Sequence, residues 1–268
     1  MGDFSMKTAV LSHAAFLSRM LGKGLILLYV DDPRYHGIST DEAEQMLLTL
    51  EAQYADLHPA HVAMKGNMRE VVHALPKLLN GVVAVTGSDS HALRRTPTHP
   101  DSVLRDFSEC AIAYLVVQDQ LVKPERYMDV AFSVDFNRES KDKLLWASYF
   151  ARFNHSRLHM FHDDYRDDRL RQLFSNNIQF MDKFFRTLGL TYEEHVLTGR
   201  SPLFPERRVL EEAVAQGCGV LVTLTTDVRK RDIVEWFAGT QEQRIIRNAS
   251  LLPVLFLNPR DDFYVLCD

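Results

Sequence analysis

Cysteine is scarce. Cys110, Cys218 and Cys267 are odd in number and far apart, which suggests neither a disulfide framework nor a cysteine-rich zinc site. Long hydrophobic runs are missing too. The longest, residues 110–117, has eight residues, against roughly 20 for a membrane helix. No basic-then-apolar signal segment opens the chain. An excess of positive charge is also absent: 31 Lys and Arg face 36 Asp and Glu, a net charge of −5, which argues against bulk nucleic-acid binding. The expectation is a soluble protein of a reducing compartment, the cytoplasm, with neither membrane nor nucleic acid as partner. Familiar catalytic signatures are missing as well: there is no GxSxG, no GxGxxG, no HExxH, and no GxxxxGK followed by Ser or Thr.

Apolar side chains are plentiful, at 46% of 268 residues, so the chain can bury enough surface to offset its ordering entropy. That length suits one large domain or two of roughly 130 residues. An internal repeat decides between them. Asp3-Phe4 and Asp135-Phe136 are separated by 132 residues, and so are Asp31-Asp32 and Asp163-Asp164.

The physical pattern repeats with the residues. Each copy has an amphipathic helical segment, carried by Val10, Ala14, Leu17 and Leu21 in the first and by Leu144, Leu145, Ala147, Tyr149 and Phe150 in the second. A short apolar strand follows, at 25–30 and 158–161, then a charged turn and a long helix, at 40–56 and about 168–188, with Thr40-Asp41 as a cap for the first. Brief segments around His61 and His195 come next. Glycine-started runs at 81–85 and 219–223 and closing strands at 111–117 and 251–257 complete each copy. Short apolar strands alternating with helices imply parallel sheets covered on both faces. The expectation is therefore α/β: two tandem doubly wound sandwiches, 1–119 and 127–268, joined by the polar stretch 118–126. Copy two has a first strand at 128–134. Copy one has only Met1-Gly2 before Asp3, so its first strand is missing or replaced: losing it would leave two sheet fragments, unless another segment fills the gap or the register is shifted by about three residues, pairing Ser5 with Ser140.

The chain resembles the universal stress protein family in its tandem two-domain form. The resemblance rests on Val134-Asp135-Phe136 after a first strand, on a second strand ending in Asp-Asp, and on the stretch from Gly239-Thr240 through a helix to Pro253-Val254-Leu255. It implies a five-stranded parallel sheet per domain and an intramolecular domain pair. It also implies ATP or another adenine nucleotide as ligand. Such a ligand would be held by an acid after strand one, by the end of strand two, and by a loop G-x2-G-x9-G followed by Ser or Thr. Glycines there let backbone N–H groups approach phosphate.

Carried onto this chain, the acid is Asp135, with Asp3 as its counterpart in copy one. The end of strand two is Phe161, and Gly239-Thr240 closes the loop. The first two loop glycines are absent: residues 220–238 contain none. In their place stand Arg229, Lys230 and Arg231, which either hold a small anionic ligand by charge-assisted hydrogen bonds or form a hydrated, ion-paired loop. Asp135 equally suits a helix cap.

His159 and His162 lie three apart on a strand, so they point to opposite faces and do not chelate one ion. No metal site is assigned. Phe174, Ile178, Phe180, Met181, Phe184 and Phe185 form a wide apolar helix face, suited to the core and also to an inter-domain or homodimer contact. The apolar tail at 263–267 is expected to dock on the body.

These readings favour a sensor or scaffold without chemistry of its own, no catalytic residue, and any nucleotide site in the second half around Asp135, Phe161, Arg229, Arg231, Gly239 and Thr240. Two alternatives stand beside it: a nucleotide-dependent enzyme, adenylating or slowly hydrolysing ATP, and a pure interaction module with vestigial sites.

Overall fold

The computed structural model describes residues 2–118, 127–135, 140–197, 205–225, 241–247 and 252–259. It divides into two compact units, Met1–Val122 and Lys123–Asp268. Among the described residues, no helix is long and apolar enough to cross a membrane, and Cys110 and Cys218 are free and buried.

Unit 2 holds β5 (Asp129–Ser133), α5 (Ser140–Asn154), β6 (Arg157–Asp163), α6 (Asp168–Thr187) and β7 (Glu193–Leu197). These are followed by α7 (Pro205–Ala215), β8 (Val220–Leu224), α8 (Gln241–Arg247) and β9 (Val254–Leu257). The five strands pair in parallel in the order β7-β6-β5-β8-β9. The central strand β5 is buried throughout and its neighbour β8 at all but its last residue, as a sheet covered on both faces requires. Phe132 meets Phe185 of α6 edge-on at 6.1 Å, while Asp163, of opposite parity, is reached by Arg208 of α7. The two helices therefore cover opposite faces, the outcome of right-handed crossovers on either side of β5.

The wide apolar face of α6 is core at its centre. Met181 and Phe185 are buried, and half-buried Phe174, Ile178, Phe180 and Phe184 flank them. Asp167 caps this helix, accepting from Leu170 N–H.

Unit 1 holds α1 (Gly2–Leu21), β1 (Ile26–Asp31), α2 (Thr40–Gln53), β2 (Ala60–Lys65), α3 (Met68–Leu78), β3 (Val83–Gly87), α4 (Pro100–Phe107) and β4 (Ala113–Val117). Its strands form two parallel pairs, β1 with β2 and β3 with β4. Among the described residues, no hydrogen-bonded ladder joins one pair directly to the other. This is the split expected when the first strand is missing. Helix α1 compensates for part of the loss. Its Leu11 and Ala14 pack on Leu25, Leu27 and Leu47 beside β1, and the same helix lies against β3 and β4.

Two local expectations are corrected. The cap of α2 is Ser39 rather than Thr40-Asp41: Ser39 accepts from Glu42 N–H, and the Glu42 carboxylate reaches back to Ser39 N–H, a closed capping box. Asp3 lies in the first turn of α1 and not at a strand end, so it is no counterpart of Asp135. The tail at 263–267 lies outside the described residues.

Candidate functional site

Doubly wound sheets bind ligands beyond the carboxyl ends of their strands, where the strand order reverses. In unit 2 that point lies between β5 and β8. The chain steps outward from β5 to β6 and β7, then returns to β8, whose Val220 pairs with Val130.

The residues around this switch point are polar and well anchored. Asp135, two residues beyond β5, is half-buried, and its carbonyl accepts a 2.8 Å hydrogen bond from Asn177 Nδ2 of α6. Val134 N–H donates to the Phe161 carbonyl at 2.9 Å, which continues the β5–β6 ladder past the strand end. At the last residue of β5, Ser133 Oγ accepts from Lys143 Nζ at 2.7 Å, with both groups buried. Asp163 accepts from Arg208 at 2.9 Å. At the end of β8, Thr225 donates to Asn258 Oδ1 at 2.7 Å.

Three features of the sequence reading change. Phe161 does not present its side chain to a ligand: it is fully buried and stacks on His195 with ring centroids 4.8 Å apart. His162 and Asp163 follow it at the end of β6. Arg229, Arg231, Gly239 and Thr240 lie outside the described residues. Lys143 was not anticipated. The signal was a lysine preceding Leu144 on an apolar helix face, where burial demands a partner.

Unit 1 treats its corresponding edge differently. Asp32 follows β1, its side chain is 1% exposed, and its hydrogen-bonding capacity is filled by its own chain. It accepts from Arg34 N–H at 2.9 Å, from Arg34 Nε and Nη2 at 3.0 and 2.5 Å, and from Met68 N–H at 2.6 Å. The hydrogen bonds from Arg34 hold the Asp32 carboxyl down at about 2, against the opposing effect of burial, and Met68 N–H adds to them. Met68 opens α3, so the carboxylate also meets the positive end of a helix dipole. Arg34 continues to buried Asp106 of α4 at 3.2 Å, and Asp106 accepts from Tyr35. Arg105 closes the network by donating to Tyr35 at 2.7 Å.

The two histidines of β6 point to opposite faces, as expected. His162 pairs with Glu194 at 2.8 Å and stacks on Phe174 of α6. His159 faces α7's side, with His195 and Asp129 as partners.

No family model matches the sequence, and no curated protein matches it significantly. Solved structures do match it. A universal stress protein from Archaeoglobus fulgidus DSM 4304 superimposes with a TM-score of 0.70 at 14% identity, covering 96% of this chain and 93% of that one. The chain has a universal-stress-protein-like fold. A protein of unknown function from Pseudomonas aeruginosa PAO1 matches with a TM-score of 0.61 at 14% identity, covering 96% and 89%. A universal stress protein in complex with cAMP aligns with 49% of this chain and 97% of its own length, at 17% identity and a TM-score of 0.37. The full-length coverage spans both units, so the universal-stress-like architecture here is a tandem one, and identities at this level establish that fold.

Proposed function

We propose that this chain is a ligand-responsive sensor or scaffold of the universal stress type, with any adenine-nucleotide or other small-anion site in unit 2. The observation that carries this reading is the contrast between the two strand edges. In unit 1 Asp32, the acid after β1, is saturated by Arg34 and Met68. In unit 2 the switch point offers Asp135 on an Asn177-anchored turn, a buried Lys143 beneath it, and a cationic segment following β8. Arg229 and Arg231 supply the charge-assisted hydrogen bonds that missing loop glycines would otherwise provide through backbone N–H groups, with Gly239 and Thr240 closing the loop.

Ligand binding acts by population shift, through different affinities for two states of the chain. Mass spectrometry of small molecules released from the purified, denatured protein tests this. A nucleotide or related anion carried by the wild type and lost from an Arg229→Ala, Arg231→Ala double variant supports the reading. Equal retention by both proteins overturns the role of these arginines.

A second reading, a pure interaction module, draws on the Asp32–Arg34–Asp106 network, which closes unit 1's edge with its own side chains. It expects the same closure in unit 2 and no released ligand.

A further inference from the structure

At the opposite, amino-terminal end of the unit 2 strands, three adjacent strands bring together groups that are distant in sequence. Asp129 is the first residue of β5, His159 the third of β6, and Glu193 and His195 the first and third of β7. The β6–β7 register sets His159 against Glu193 and Phe161 against His195, so all four polar side chains share the face that α7 covers.

The hydrogen bonds fix the tautomers. Asp129 Oδ1 lies 2.9 Å from His159 Nε2. A carboxylate only accepts, so Nε2 carries a proton, and in the neutral imidazole His159 Nδ1 then presents a lone pair. That lone pair meets His195 Nε2 at 3.0 Å and the Glu193 carboxylate at 3.8 Å. One ligand atom from each of His159, Glu193 and His195 lies within 4.8 Å of the others. The edges of a tetrahedral zinc site are about 3.3 Å, from Zn–N bonds of about 2.0 Å, so small adjustments separate this arrangement from coordination.

The four residues divide into a fixed half and an adjustable half. His159 is 5% exposed and is held by Asp129, itself clamped by Arg157 at 2.7 Å. Glu193 is exposed and His195 half-buried, both on the edge strand β7. Such an anchor beside two more exposed ligands can exchange the contact between the imidazoles for a cation.

We propose that His159, His195 and Glu193 form a binding site for a divalent transition metal of the zinc class, with Asp129 as the outer partner that orients His159. Two imidazoles and one carboxylate are borderline donors suited to such a cation, and a carboxylate behind a ligating histidine is the usual orienting device. Three protein ligands leave a fourth position for water or another donor. The metal ties β7 to β6 and β5, at the end of the strands remote from the switch point, so the site does not depend on nucleotide binding.

The test uses the full chain, stripped with chelator and titrated with Zn2+ against a chromophoric competitor, with Co2+ as a spectroscopic probe. The wild type should bind one equivalent per site, and Co2+ should give the intense visible bands of four-coordination. His195→Ala should weaken Zn2+ at least ~100-fold and Asp129→Asn by about 10- to 100-fold. His162→Ala, on the other face of β6, should leave the affinity unchanged. Circular dichroism of each variant confirms its fold. Saturable binding that survives His195→Ala overturns the proposal, as does the absence of saturable binding by the wild type.

Discussion

Asp32 Oδ2 accepts a 2.6 Å hydrogen bond from the backbone N–H of Met68, tying the end of β1 to the first turn of α3 in a unit whose sheet is split. Because the two strand pairs of unit 1 share no ladder, contacts of this kind replace some of the cohesion a central strand would supply.

Removing that carboxylate should therefore be costly. Asp32→Ala leaves Met68 N–H without its acceptor and strips Arg34 of its closest partner, although Arg34 keeps Asp106 at 3.2 Å. A loss of about 3 kcal/mol is expected in urea denaturation at neutral pH, at the low end for a broken buried pair. The pH dependence follows from the sign of the shift. The folded carboxyl titrates at about 2, below its unfolded value of about 3.9. Its contribution is present above pH 4 and disappears as pH falls toward 2. Wild type and variant should thus converge in stability in acid; a constant gap across that range contradicts the assignment.

Substitutions along α6 should separate core from rim. Phe185 is 1% exposed and lies edge-on to Phe132, so Phe185→Ala should cost about 3–5 kcal/mol through lost burial and a cavity. Phe180 is half-buried, with Lys141 over its ring at 4.3 Å. Phe180→Ala should cost about 1 kcal/mol, within reach of a single cation–π contact and partial burial. Chemical denaturation of the two variants checks the ranking, and a reversed order contradicts it.

His61 in β2 sits between two carboxylates, Glu44 at 3.0 Å and Glu51 at 2.9 Å. The hydrogen bond with Glu44 is the main cause that raises its pKa above the ordinary imidazole value; desolvation opposes it, and the hydrogen bond with Glu51 adds a further upward push. The stabilisation is complete below the unfolded imidazole pKa and is lost as pH rises through the higher folded value. In histidine NMR titrations His61 should protonate at higher pH than a free imidazole, and Glu44→Gln should lower its midpoint. An unchanged midpoint would remove Glu44 as the main cause.

The sequence disclosed the architecture because burial leaves a periodic trace. The 132-residue offset that pairs Asp31 with Asp163 places both at the last position of a strand, β1 and β6. Asp3 and Asp135 share that offset and still differ in structure, since without a preceding strand the segment from Gly2 simply begins a helix. The closure around Asp32 was hidden because Met68 reaches it, and Asp106 reaches Arg34, only after α3 and α4 pack. The grouping of His159 with His195 needed the β6–β7 register, although Glu193 and His195, two apart on one strand, were a readable hint of a shared face. Phe161 drew attention by its place in a family pattern, and burial then decided its role.

Calorimetry of ATP binding to the full chain tests most directly the proposal that any nucleotide site lies in unit 2. The account predicts one nucleotide per chain, lost in Asp135→Ala and retained in Asp32→Asn. Two equivalents per chain, or binding abolished by Asp32→Asn and indifferent to Asp135→Ala, would contradict it.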